Sequence, residues 1–298
     1  MMRRLLLLTV CLLPASLHAA DLRVVATTNS MGTLASAVGG EHIDLTVLAP
    51  PDRDAHFLQA KPSMMRDLRR ADLVIAVGAE LEAGWLPVAV KRAANPAIQP
   101  GQPGHFEAAG HVDLLDVGES GGGHVHASGN PHFNLDPRRM RALLPALAER
   151  LAAIDPPHAD SYRAHANEAV ARLDRLMPEW TDRASDAPGA VFHHADTRYL
   201  MDWLDLPVLG YLEPTPGVPP TARHLRELAE SLEGSDGVII HAPYYSGRGP
   251  NKLGGELGWP VVQLHTEPDA PTLDAWIGLI DAWVDALSRH DRAGSRSD

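Results

Sequence analysis

The chain has 298 residues, 45% hydrophobic and 21% charged, which is a globular mixture sized for one large domain or two and excludes global disorder. Its 26 basic and 38 acidic residues give a formal net charge of −12 without any long basic run, so nucleic acid and anionic membrane are poor partners. Glycine and proline, 25 each, follow no repeat, which excludes a collagen-like chain. Aromatic residues, at 5%, are thin for a sugar- or base-stacking receptor, and the unusual count is 16 histidines.

The first 20 residues read as a signal peptide. Met1-Met2-Arg3-Arg4 is a charged start, and residues 5–13 form an apolar run too short to span a bilayer. Pro14 and the small residues Ala15, Ser16, Ala19 and Ala20 follow, placing cleavage near Ala19 or Ala20. The only cysteine, Cys11, lies inside this segment, and Val10 spoils a lipoprotein box there. The mature chain then has no disulfide and no thiolate ligand. No other apolar run reaches transmembrane length, so the expectation is an exported, periplasmic, soluble protein.

Beyond Asp21, short β-branched runs alternate with helical patterns. Strands are expected at residues 22–28, 45–48, 73–77 and 112–117, with helices at 31–38 and 62–71; Pro62 suits a first helical turn. Residues 118–129 (GESGGGHVHASG) read as a Gly/Ser/His-rich loop. Asp136-Pro137 opens a helix to about Ala153, and Asp155-Pro156-Pro157 breaks it. A second helical pattern runs from about His158 toward Ala184, with Tyr162, Ala166, Ala169, Leu173, Leu176 and Trp180 on one face. Pro178 lies inside it, where a kink or an early end is expected. At full length it spans about 40 Å, long enough to be a core helix or a strut between lobes, and its place between two α/β blocks favours the strut. The second half repeats the rhythm with strands at 190–193, 208–211, 237–241 and 261–264. The expected class is α/β, with two mainly parallel sheets flanked by helices. The division is 21–156 for a first lobe, 157–184 for a linking helix and 185–298 for a second lobe.

Ligands of parallel α/β sheets gather at the carboxyl ends of strands. Four histidine-bearing stretches lie there: His56, His132, His193-His194, and His265 with Glu267 and Asp269. Neutral imidazoles with one carboxylate suit zinc. A single histidine at a strand end is more often a capping or solvated residue, and spacing alone does not show convergence, because no HExxH pair fixes the geometry. His124 and His126 alternate on the Gly-rich loop and would give at most a weak auxiliary metal contact. Gly118-Glu119-Ser120-Gly121-Gly122 matches G-x-S-x-G, but a Gly-rich loop follows where an esterase needs a helix. Residues 213–221 (EPTPGVPPT) form a stiff Pro-rich turn, either a cleft wall or a connector.

Several motifs in order resemble the metal-binding solute receptors that serve ABC importers of zinc and manganese. Asp54-Ala55-His56 with Lys61-Pro62-Ser63 is similar to the family's Asp-Pro-His and Pro-Ser motif, Ala55 replacing Pro. Asn130-Pro131-His132-Phe133-Asn134-Leu135-Asp136-Pro137 is the most specific match. Phe192-His193-His194 followed by Tyr199-Leu200 resembles a motif whose His precedes an aromatic-Leu pair by five residues, which selects His194. The resemblance covers residues 21 to about 287. It implies two α/β lobes joined by one long helix, with the metal held between them. His56 and His132 would come from the first lobe, and His194 and a carboxylate from the second. Thr266-Glu267 best matches the family's short Thr-Asp motif, with Asp269 and His265 as rivals. The implied cargo is Zn2+, with manganese or iron as the alternative, and the implied partner is a membrane permease binding a monomeric receptor. A three-histidine zinc hydrolase is the competing enzyme class and a surface adhesin the third; the reading is of a non-enzyme.

Overall fold

The computed structural model describes residues 21–118, 127–213 and 218–288, so the expected signal peptide and His124 and His126 lie outside the described residues. Among the described residues, eight strands form two sheets of four. β1 (Leu22–Ala26), β2 (Ile43–Val47), β3 (Leu73–Ala76) and β4 (His105–Glu107) lie in the order β2-β1-β3-β4. β5 (Ala190–Phe192), β6 (Val208–Tyr211), β7 (Val238–His241) and β8 (Val261–Gln263) repeat it as β6-β5-β7-β8. All six pairings are parallel, with Val24 opposite both Leu45 and Leu73, and Val191 opposite Ile239. Every residue of β3 and β7 is buried, which is why these strands read as unbroken apolar runs. In each sheet the chain order reverses beside the first strand, so the loops after β1 and β5 stand at topological switch points.

One strand expectation fails. Residues 112–117 are a loop, and the fourth strand is β4, three residues long. Only Phe106 of β4 faces the core, so no alternation is visible there. The apolar residues Val112, Leu114 and Leu115 pack on the core from irregular backbone. That backbone is satisfied by other partners: Arg139 donates to the Asp113 carbonyl at 3.0 Å and Asn130 N–H to that of Leu115 at 2.9 Å.

The first sheet connects through α1 (Asn29–Gly39), α2 (Pro62–Arg70) and α3 (Leu86–Ala93). α4 (Pro137–Ile154) and α5 (Ala159–Ala184) follow. The second sheet carries α6 (Arg198–Leu204), α7 (Ala222–Ser231), α8 (Arg248–Leu257) and α9 (Leu273–Ser288). α5 continues through Pro178 rather than ending there. Its last turns are gripped by α9: Trp180 Nε1 donates to Asp281 at 2.8 Å, and Arg183 pairs with Asp281 and Asp285. Burial of Trp180 and Ala184 with these bonds offsets the cost of about 3 kcal/mol for a proline in a helix interior. The helix joins the two sheets in sequence and is also core, since Tyr162, Ala166, Ala169 and Leu173 are buried in one continuous cluster. That cluster takes Val24, Leu73 and Phe106 from the first sheet and Ala190, Phe192 and Ile240 from the second.

The α4–α5 corner turns on Asp155, whose Oδ2 accepts from Tyr162 Oη at 2.6 Å and lies 2.7 Å from His158 Nδ1. Burial works against the charge, but the bonds from Tyr162 and His158 outweigh it and hold the carboxyl below its ordinary 3.8. A depressed carboxyl contributes stability above its unfolded pKa and loses it as pH falls through its folded pKa. Asp155→Asn is therefore expected to lower stability by about 1 kcal/mol at neutral pH, with the gap to wild type closing below about pH 3, read by urea unfolding at both pH values.

Candidate metal centre

The loop after β2 places His56. Asp54 caps the 3-10 turn Ala55–Phe57, accepting from His56 N–H at 2.9 Å, and its Oδ1 also lies 2.8 Å from His56 Nδ1. This carboxylate fixes the Nδ1–H tautomer and makes Nε2 the lone-pair nitrogen, the usual second shell of a metal-ligating histidine. Trp85 Nε1, donating to Ala55 O at 2.8 Å, ties the turn to the first lobe.

The segment from Asn130 to Pro137 places His132, and its polar residues each have structural work. Asn130 Oδ1 accepts from His132 N–H at 2.9 Å, and Asn130 Nδ2 donates across the lobes to Ala195 O at 3.2 Å. Tyr199 Oη donates to Asn130 O at 2.6 Å and accepts from Leu115 N–H at 2.9 Å. Asn134 Nδ2 donates to Thr266 O at 2.6 Å, and Asp136 caps α4 while pairing with Arg138 and Arg139. The motif thus sews the first lobe to the second as well as presenting a histidine.

The second lobe supplies the other candidates. His194 follows β5; it is buried, and its ring centroid lies 6.3 Å from that of His132. Its neighbour His193 turns away, stacking on Tyr245 with centroids 3.9 Å apart and placing Nε2 3.3 Å from Glu213 Oε1. Burial, aided by nearby His241, lowers the His193 pKa to about 4, so it is neutral at pH 7. Glu267 reaches the first turn of α1, where Ser30 N–H donates to Oε2 at 2.6 Å and Asn134 donates to Oε1 at 3.3 Å. Burial pushes the Glu267 carboxyl up to about 7, while the Ser30 and Thr28 bonds pull the other way. Further straps bind this loop to α1: Asn29 Nδ2 donates to Pro268 O at 2.7 Å and Ser36 Oγ to Pro271 O at 2.6 Å.

His56, His132 and Glu267 line one cavity of about 40 Å³, the volume of a single ion or water, together with Asn134, Tyr244 and Thr266. The His56 and His132 ring centroids are 5.0 Å apart. Asp269 is exposed and does not line this cavity, and neither do His265 and His194. Among the described residues no three His, Cys, Asp or Glu side chains are gathered tightly enough to hold an ion. Glu213, named from the sequence only as the head of the Pro-rich turn and not as a site carboxylate, also lies 3.9 Å from His194 Nδ1. Its position directly after the expected strand 208–211 was the available signal. Asp54 and Asn134 stood inside quoted motifs, but only the fold reveals their bonds.

Residues 24–290 match the family model of the periplasmic zinc-uptake complex component A, ZnuA. The chain is 26% identical over 260 residues to the high-affinity zinc uptake system protein ZnuA of Yersinia pestis, covering 81% of each. It is 25% identical over 170 residues to the manganese ABC transporter substrate-binding lipoprotein PsaA of Streptococcus mitis, covering 56% of this chain and 53% of that protein. In fold it resembles a zinc-bound ZnuA with residues 138–173 deleted (TM-score 0.74, 20% identity, 90% of this chain and 99% of that one). It also resembles FpvC of Pseudomonas aeruginosa in complex with Mn2+ (TM-score 0.77, 19% identity, 92% and 100%). With matched sequence running through both sheets, the loops of the cavity and the long helix between them, the chain belongs to the ZnuA family of periplasmic zinc-uptake components.

Proposed function

We propose that the protein is the extracytoplasmic receptor of an ABC importer, capturing a divalent metal, zinc by preference, through His56, His132, His194 and Glu267. The observation that carries this reading is the pairing of His56 with His132 over a cavity that Glu267 closes. Two imidazoles on one tetrahedral zinc, at Zn–N of about 2.0–2.1 Å, have ring centroids about 5 Å apart. The 5.0 Å between His56 and His132 already fits, and the 6.3 Å between His132 and His194 is about 1 Å too wide. Binding would then need a small movement of the His194 loop rather than hinged closure of whole lobes. Glu267 keeps lone pairs for a metal while Ser30 and Asn134 orient it, as an outer shell does. Three imidazoles favour zinc over the harder manganese ion, although manganese relatives share the fold. The receptor works as a monomer and releases the ion to a membrane permease, the role of its family's transport systems.

Metal analysis of the purified protein after dialysis against zinc and manganese together tests this. One equivalent of zinc per chain is expected. Glu267→Ala should weaken zinc binding, and Asp269→Ala should leave it unchanged. Absence of stoichiometric metal in the wild type would overturn the reading, and preferential loading with manganese would replace zinc as the cargo.

A further inference from the structure

A second and much larger cavity, of about 540 Å³, lies in the second lobe at the carboxyl ends of β5, β6 and β7. This is the switch-point position of a sheet ordered β6-β5-β7-β8, where open α/β folds bind small molecules. Its size falls in the range of about 300–1,000 Å³ typical of small-molecule sites and is far beyond one ion. Tyr244 lines both this cavity and the small one holding His56 and His132, so the two are neighbours across a single phenol ring.

The lining combines charged and apolar groups. Arg248 and Lys252, one turn apart at the start of α8, bring positive charge to the lining, and the N-terminal end of that helix adds to it. Among the described residues Arg248 makes no ion pair, and Lys252 has only Glu256, at 3.8 Å. Glu213 stands on the wall carrying His193, whose side chain is 6% exposed. Pro219, Pro220 and Leu225 add apolar surface to the same lining.

We propose that this cavity is a binding site for a small zwitterion, an amino acid or dipeptide with an apolar side chain. Its carboxylate meets Arg248 and Lys252, its ammonium meets Glu213, and its side chain lies on the proline–leucine surface. An anion lacking an ammonium group would leave Glu213 facing it, and a dianionic phosphate would be repelled more strongly. An amine lacking a carboxylate would leave Arg248 unanswered. The site borders the metal centre proposed above through Tyr244, which lines both cavities, and through Glu213, which lies 3.9 Å from His194 Nδ1.

The test is calorimetric titration of the whole metal-free protein with L-leucine and with Leu-Leu. The controls are 4-methylpentanoate, which lacks the ammonium, and isoamylamine, which lacks the carboxylate. At least one zwitterion should bind saturably at one per chain, tenfold or more tighter than either control. Arg248→Ala should weaken it tenfold or more while zinc binding by the same variant stays at the wild-type level. No saturable binding of either zwitterion, equal binding of a control, or an unchanged affinity in Arg248→Ala would each overturn the assignment. Zinc binding, measured on the same samples, reports separately on the metal centre.

Discussion

Replacing His132 by alanine is expected to lower zinc affinity by more than about 100-fold, beyond the 10–100-fold typical of losing an outer-shell partner. His132 is the middle of the proposed set, its ring 5.0 Å from that of His56 and 6.3 Å from that of His194, so its loss separates the donors of the two lobes. The substitution should leave the fold intact, because the tie to Asn130 uses the His132 backbone N–H rather than the ring. Competitive zinc titration against a chelating dye, with circular dichroism as the folding control, reads both quantities. Asn130→Ala makes a useful contrast. It removes the bonds to the His132 backbone and to Ala195 and should cost stability together with a smaller loss of affinity. Equal zinc affinity in His132→Ala and wild type would exclude this residue as a ligand.

Asp196→Asn is expected to stabilise the metal-free protein at high pH and to do nothing at low pH. Asp196 follows His194 in the turn Ala195–Thr197 and is 8% exposed. Burial, reinforced by the charges of Asp54 and Glu213, pushes its carboxyl from 3.8 up to about 7. For an acid with a raised folded pKa the unfolded chain ionises first. Stability is then lost as pH rises from the ordinary carboxylate value to the folded one, and is flat above it. At about 1.36 kcal/mol per pKa unit the whole effect is at most about 4 kcal/mol, and relaxation around the ion reduces it to roughly 2–4 kcal/mol. Urea unfolding should show the variant ahead of wild type at about pH 8 and level with it at about pH 4. An equal difference at both pH values would mean that the side chain acts through packing and not through its charge. A bound cation nearby favours the ionised form, so saturating zinc should shrink the gap at high pH.

Much of the frame was legible because fully buried parallel strands announce themselves. The runs containing Leu73–Ala76 and Val238–His241 have no polar interruption before their last residue, and the expected positions of β1, β5, β6 and β8 overlap those found. The fourth strand of the first sheet was not legible: His105 and Glu107 flank a single core residue, whereas residues 112–117 carry more apolar side chains without forming a ladder. Proline rules left a kink, an early end at Pro178 or a run to Ala184 open for α5, and the grip of Asp281 and Asp285 that carries it to Ala184, about a hundred residues away, is invisible to local patterns. The same distance hid much of the candidate site. His56, His132 and Glu267 could be named from their motifs, yet nothing local shows that Ser30 and Asn134 hold Glu267, or that Glu213 stands beside His193 and His194.

The straps between α1 and the loop before α9 bear on how the molecule is made. α1 begins eight residues into the described chain; α4 and α5 supply most of its cover, but α9 packs on it too and residues 267–272, more than 230 residues later, strap it. A chain emerging from its amino end therefore cannot complete even its first helix's surroundings until nearly all of it is available. The amino-terminal half must wait, with apolar surface uncovered, for the carboxyl-terminal half to arrive. The loops that line the small cavity come from both halves, so that cavity is complete only once residues near 267 are in place.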